Sequence, residues 1–312
     1  MSIIENMTMV IPEQAKPEMK STSDSSDSED FSAFLKIIEH DFPIEFFIAG
    51  ELAQLETFAI PSISKLLHHT KQYELEGVKR LDDTKATLYG IFLAPEGDKA
   101  RETMIEHLNW VHSHYTISND DNVYTLLRLF FYPIEWINSR AWRKLTSKEI
   151  NIMTRELIKI GNAMHIELPS ADFSKLDAWQ RNYRKKHQRY DVTNQAVCDG
   201  TLKALTSHFP QWSRGIIPTV ISALLNDTQL IKALGMNPAR AGSKICVGTL
   251  LLIWKLLNKV YRPWKTRKFS QGWLATYYPS YGAINTKQVP CCSLGPRKLI
   301  NHRNKTQGCP FH

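Results

Sequence analysis

Three histidines stand on one short segment, Thr103–Tyr115 (TMIEHLNWVHSHY). An imidazole can bind a metal, move a proton or serve as a hydrogen-bonded core residue. Direction decides among these. At about 100° per residue along a helix, Ile105, Leu108, Val111, His112 and Tyr115 share one arc, and His107, Trp110 and His114 fall roughly opposite. His112 is therefore expected to face inward and the other two outward. His112 and His114 would point in different directions, which makes the pair a poor two-ligand metal site. One inward imidazole suits a haem iron, with a neutral nitrogen on the proximal side and the opposite position open for dioxygen. It equally suits a satisfied core histidine, and the helix alone leaves both open.

A second segment, Val78–Leu88 (VKRLDDTKATL), places Arg80 and Thr84 four apart and so on one helical face. A buried arginine needs an anion. Asp83 at i+3 is one candidate. A carboxylate from a bound group is the other, since a guanidinium grips carboxylates in fork geometry. Thr84 has two roles open to it, donating to such a ligand or back-bonding to a carbonyl one turn earlier.

The elements that must carry these residues are helical. Phe31–Asp41, Ala49–Leu67 (broken by Pro61), Lys85–Phe92, Ala100–Tyr115, Val123–Trp136, Ser174–Tyr190, Asn194–His208, Ile217–Leu234 and Ile245–Val260 show helical spacing. Thr146–Gly161 has the clearest ends: Thr146 as N-cap, Glu149 as its reciprocal partner and Gly161 at the close. Alternating strand patterns are scarce. Residues 1–31 are acidic and serine-rich and are expected to be a disordered tail. Residues 32–290 form the expected helical domain, and 291–312 an irregular C-terminal tail. With 43% hydrophobic and 22% charged residues, the chain has the make-up of a globular protein.

Composition also excludes some classes. The five cysteines show no Cys-x-x-Cys spacing, which argues against a structural zinc site and for free thiols in a reducing compartment. The N-terminus lacks a basic-then-apolar signal pattern, so an intracellular location is expected, in the cytoplasm or peripherally on the endoplasmic reticulum membrane. The net charge of +8 is concentrated in runs such as Arg181–Tyr190 and Lys255–Lys268, but no nucleic-acid recognition motif accompanies them. The apolar run Ile245–Trp254 is too short to span a bilayer. Followed by its basic flank, it suits either a core helix or a helix lying in a membrane interface, so peripheral membrane contact is expected to involve 245–268.

The order of several motifs carries more than any one of them. Arg-Leu-Asp-Asp-Thr (80–84) precedes Trp-Val-His-Ser-His-Tyr (110–115), Ile117–Leu126, Pro-Ile-Glu-Trp (133–136), Ala-Trp-Arg (141–143) and Leu-Thr-Ser-Lys-Glu (145–149). This set resembles the catalytic domain shared by the rubber oxygenases (latex-clearing proteins) and the ER-bound oxygenase of the mycophenolic acid pathway. The resemblance is clearest over residues 75–200 and continues to Leu294-Gly295-Pro296. It implies an all-α fold, a single globin-like helical domain burying a b-type haem. It further implies iron ligation by His112, with His114 as the fallback. Arg80, Thr84 and Arg143 are expected near the haem and its propionates, and Asp83 and Thr84 on the catalytic side. Rubber oxygenases have a lysine where this chain has Asp83. Trp110, Leu126, Phe130 and Trp136 are expected to shape an apolar pocket. The implied activity is a haem-dependent oxygenase acting with dioxygen on an apolar alkene or isoprenoid-like substrate. The alternative is a non-catalytic haem or lipid carrier on the same scaffold.

Overall fold

The computed structural model describes residues 22–261, 267–282 and 289–306. The first 21 residues, part of the basic flank (262–266) and the Cys309-Pro310 pair lie outside them. The described residues are all-helical, with no strand element among them.

Thr22–Lys36 (α1) leads through a π-helical turn, Ile37–Asp41, into Pro43–Thr57 (α2). The acidic stretch expected to be disordered up to residue 31 is thus helical from Thr22. Its acids have partners: Asp27 and Asp30 pair with Lys159 and Arg155 at 2.9 and 2.6 Å, and Phe34 beside them is fully buried. The next helices are Pro61–Thr70 (α3), Gln72–Leu75 (α4), Gly77–Phe92 (α5) and Lys99–His112 (α6). Prolines open α2 and α3 at their first turn, where a missing N–H costs nothing. Asp98 caps α6 by accepting from the Ala100 amide.

Asn119–Arg140 (α7) is the central helix. It runs through Pro133, with Val123, Leu127, Phe130, Phe131 and Ile137 fully or almost fully buried along it. Ser147–Ala163 (α8) carries the expected capping box between Thr146 and Glu149. Phe173–His187 (α9) and Val192–Ser207 (α10) follow. The stretch expected as one helix over 217–234 is two, Ile217–Leu225 (α11) and Thr228–Ala233 (α12). Asn226 adopts a left-handed conformation and Asp227 caps the second. Ala241–Val260 (α13), Trp273–Thr276 (α14) and Arg297–Thr306 (α15) complete the order. The C-terminal stretch expected to be irregular therefore includes a helix. Cys198, Cys246 and Cys291 are free thiols, whereas Cys292 is in a disulfide, contrary to the expectation for it.

Two large apolar clusters hold the body together. One gathers α1, α5, α6, α7 and α8 around Phe34, Phe92, Phe130 and Leu157. The other gathers α2, α10, α11 and α12 around Leu55, Phe58, Val197 and Leu234. Helix α10 approaches the segment before α5 so closely that a side chain has no room. A Cβ on Gly200 would sit 2.5 Å from the Tyr73 carbonyl oxygen, and one on Gly77 would sit 2.9 Å from the Ala204 Cβ. These glycines fix where α4 and the start of α5 lie, and hence where Tyr73 and Arg80 stand.

Candidate functional site

Helix α5 separates two cavities. The first is a cleft of about 690 Å3 between α5 and α6, with α3 at one side and Leu294–Pro296 as a wall. Arg80, Asp83 and Thr87 face it from α5, and Leu108, Val111, His112 and Tyr115 from the end of α6. The second, about 770 Å3, lies between α2 and α5. Phe46, Phe47, Leu88, Phe92 and Phe269 are among its apolar walls, with Glu39, Glu51, Gln54, Thr84, Lys85 and Tyr89 as its polar members.

His112 faces the first cleft, as the helical wheel predicts. Its ring makes no hydrogen bond to any described residue. Burial, with a smaller contribution from the Arg80 charge, pushes its pKa down from 6.5 to about 4. The imidazole is therefore neutral near pH 7, the form in which a nitrogen lone pair is free. Across the cleft, Arg80 lies over the Tyr73 ring at 5.1 Å and donates to the Thr84 hydroxyl. Asp83 is not its partner, and no carboxylate among the described residues is.

Asp83 is committed elsewhere. It accepts from Lys79 Nζ at 2.8 and 2.9 Å, from the Gly295 amide at 3.1 Å and from the Tyr281 hydroxyl. Lys79 also donates to the carbonyls of Ser293 and Gly295 at 3.1 and 2.8 Å. Both side chains are buried. The pair is a clamp that fastens Tyr281 and residues 293–295 to α5. A lysine does stand on this helix, one turn before Asp83, and it too belongs to the clamp.

Thr84 lies on the side of α5 that lines the second cavity. It donates to the Arg80 carbonyl at 2.9 Å, accepts from Arg80, and lies 3.4 Å from Gln54 Nε2. The Arg80–Thr84–Gln54 chain thus passes between the two cavities. Glu51 is a site residue that the sequence reading did not single out. It accepts no hydrogen bond from any described residue, and burial raises its pKa from 4.5 to about 7, partly offset by Lys85. Nearby, the Tyr89 hydroxyl is buried without a partner. A glutamate among phenylalanines at 46, 47 and 92 was the available signal, but only a helix pair brings the two sets together.

The other expectations are placed as follows. His107, expected to face outward, is 2% exposed. Its Nε2 donates to the Leu294 carbonyl at 2.8 Å, and Arg303 lies 3.3 Å from Nδ1. The covering segment comes from far along the chain, which a wheel of α6 cannot register. His114 is exposed, bonded to the Trp110 carbonyl, and does not line the cleft. Arg143 is held outside the cleft by Asp41 and Glu149 at 2.8 and 2.7 Å. Leu126, Phe130 and Trp136 are core residues, and Trp110 packs against His107 and His114 under Arg303. None of the four lines the cleft. Among the described residues, no group of three or more His, Cys, Asp or Glu is placed to hold a bare metal ion.

No family model matches the chain. It is 24% identical over 265 residues to the ER-bound oxygenase mpaB' of Penicillium brevicompactum, covering 79% of this chain and 62% of that protein. It is 26% identical over 238 residues to the ER-bound oxygenase mpaB of the same organism (69% and 59%). It is 27% identical over 214 residues to the ER-bound oxygenase mpaB of Penicillium roqueforti (62% and 72%). The chain spans about three fifths of the length of the first two. The chain is thus similar to these oxygenases, as the ordered motifs led one to expect.

Proposed function

We propose that this chain is a haem-dependent oxygenase that binds a b-type haem in the α5–α6 cleft through His112 and acts with dioxygen on an apolar alkene or isoprenoid-like molecule. The observation that carries this reading is His112 itself: a neutral imidazole facing a cleft whose opposite side holds Arg80, with no hydrogen-bond partner for the first and no carboxylate for the second among the described residues. His112 would give a b-type haem a nitrogen ligand for its iron, and Arg80 a guanidinium for a propionate. Leu66, Leu108, Val111 and Leu294 give the cleft the apolar walls a porphyrin face requires. The oxygenase relatives support the reaction class.

A bound haem would supply the dioxygen chemistry that no side chain offers. The chain's own residues have separate tasks. Arg80 would hold a propionate, and Tyr73 and Thr84 fix its guanidinium in place. The clamp of Lys79 and Asp83, with His107 on Leu294, holds the far wall against α5 and α6 and so limits water entry. The substrate would share this cleft, against the apolar side chains of Leu66, Leu108 and Val111, because oxygen chemistry supplied there cannot reach across α5. The α2–α5 cavity, with Glu51 among its polar members, lies behind α5 and takes no part in the oxygen step in this reading. Asp83, spent on four hydrogen bonds, positions the wall and does not exchange protons in this reading.

The full use of Asp83 also favours a second reading, a haem carrier without turnover. Expression with haem supply separates the cases. A Soret band is expected in the parent and is lost or shifted in His112→Ala, with His114→Ala unchanged. No Soret band in the parent refutes both readings. Dioxygen uptake on addition of an apolar alkene marks the oxygenase; haem binding without uptake marks the carrier. Because the relatives are described as ER-bound, we place the chain at the same membrane.

A further inference from the structure

Helix α13 is turned inside out. It runs 20 residues, about 30 Å, and has the length and apolar composition of a membrane-crossing helix, yet only about a tenth of it is buried. One narrow side fastens it to the body. Val247 and Asn258 are buried there, and the Trp254 indole donates to Glu45 at 3.0 Å. The opposite side presents Ile245, Leu250, Leu252, Leu256, Leu257 and Val260, each more than half exposed. An apolar surface of this kind marks an interaction site.

Charge says what covers it. From Thr228 to His312 the chain holds fourteen Lys and Arg and no Asp or Glu, so the whole positive surplus lies in this part. At the edge of α13 an open pocket is lined by Ser139, Arg140, Asn226, Lys244, Gly248 and Lys255, without a carboxylate. The Arg140 guanidinium is fixed there, stacked 4.0 Å over Trp136 and donating to the Leu224 carbonyl at 3.0 Å. Lys244 and Lys255 have no ion-pair partner among the described residues. Two copies of so basic a surface would repel each other. An anionic leaflet attracts it, at about fivefold in affinity per lysine or arginine near the surface.

We infer that the outer face of α13 docks on an anionic lipid bilayer, with a lipid phosphate received by Arg140, Lys244 and Lys255. The helix lies in the interface. It does not span, because its fastened side would otherwise have to leave the protein body. This deepens the membrane placement proposed above and is independent of the haem assignment.

The test is co-sedimentation of the full chain with vesicles of phosphatidylcholine alone and of phosphatidylcholine with phosphatidylserine. Binding is expected only to the anionic vesicles and should weaken with salt. Lys244→Gln/Lys255→Gln should lower affinity by about 25-fold. Leu252→Glu/Leu256→Glu should abolish binding while circular dichroism and any Soret band stay unchanged, since both sites are exposed. Lys148→Gln/Lys175→Gln, the same charge change on α8 and α9, should lower it far less. Equal loss in both lysine pairs overturns the pocket assignment. Binding unaffected by the leucine pair overturns the docking face. A lipid-free dimer that the leucine pair dissolves assigns the face to a second copy and also overturns the proposal.

Discussion

Asp83→Asn tests whether this carboxylate is a clamp or an acid. The side chain is buried with Lys79 and also meets the half-buried Gly295 amide and Tyr281 hydroxyl. Asparagine keeps the shape and one acceptor oxygen but removes the charge. Lys79 is then left as a buried ammonium with two carbonyl partners, those of Ser293 and Gly295. Breaking one side of a buried ion pair costs about 3–5 kcal/mol. The retained carbonyls place this case near the lower end, at about 3 kcal/mol. At roughly 2–4 °C per kcal/mol for a chain of this size, the melting temperature should fall by about 6–12 °C. Thermal unfolding followed by circular dichroism measures this directly. Lys79→Met/Asp83→Leu removes both charges and should recover most of the loss, since a buried pair is replaceable by apolar residues of similar volume. If Asp83→Asn melted like the parent while turnover collapsed, the clamp would be the wrong description and proton transfer by Asp83 the right one.

Other outcomes follow from the same geometry. The folded protein holds His112 neutral down to about pH 4, whereas the unfolded chain takes up the proton near 6.5. Stability of the haem-free protein should therefore fall as pH drops from 6.5 toward 4, with no such effect above 6.5. His112→Gln should make that slope shallower in urea titrations, and identical slopes would count against a buried neutral ring. Glu51 shows the opposite dependence. Its pKa is raised from 4.5 to about 7, so its contribution is present below 4.5 and lost as pH rises through 7. Glu51→Gln should flatten that decline in urea titrations, and an unchanged decline would assign it to another group. Gly200→Ala forces a Cβ onto the backbone of Tyr73 and Glu74, neither of which can move aside cheaply. A loss of about 1–3 kcal/mol is expected from overpacking, together with weaker haem uptake, because Tyr73 carries Arg80. An unchanged melting temperature would show that α4 and α10 can separate at little cost.

Much of the helical order was legible because it is local. The α8 capping box needs only Thr146 and Glu149, and the inward face of α6 needs only the spacing of Leu108, Val111, His112 and Tyr115. What was missed depends on contacts across the chain. His107 lies on the outer arc of its own helix, but Leu294 and Arg303 cover it. Arg80, Lys79 and Asp83 all lie within one turn of each other, and the sequence offered Asp83 two cations. The segment folding over α5 selected Lys79 by adding the Ser293 and Gly295 carbonyls around its ammonium. Arg143 was assigned to propionates by motif order, while Asp41, far earlier in the chain, holds it elsewhere. The helical start of α1 follows from Arg155 and Lys159, which neutralise acids that look disordering when taken alone. The same blindness applies to α13: an apolar run announces burial, and only the fold shows it left bare.

The wall at Leu294–Pro296 has a consequence in time. The floor of the cleft comes from residues 66–115, and the bonds that close it join Lys79 to Gly295 and His107 to Leu294, separations of 216 and 187 residues. On the ribosome, at about 5–20 residues per second, the floor emerges roughly 9–36 seconds before the wall exists. During that interval the cleft is a trough, open along its length. Whatever binds before then meets the cleft without its Leu294–Pro296 wall, and the bonds from Lys79 and His107 form only afterwards.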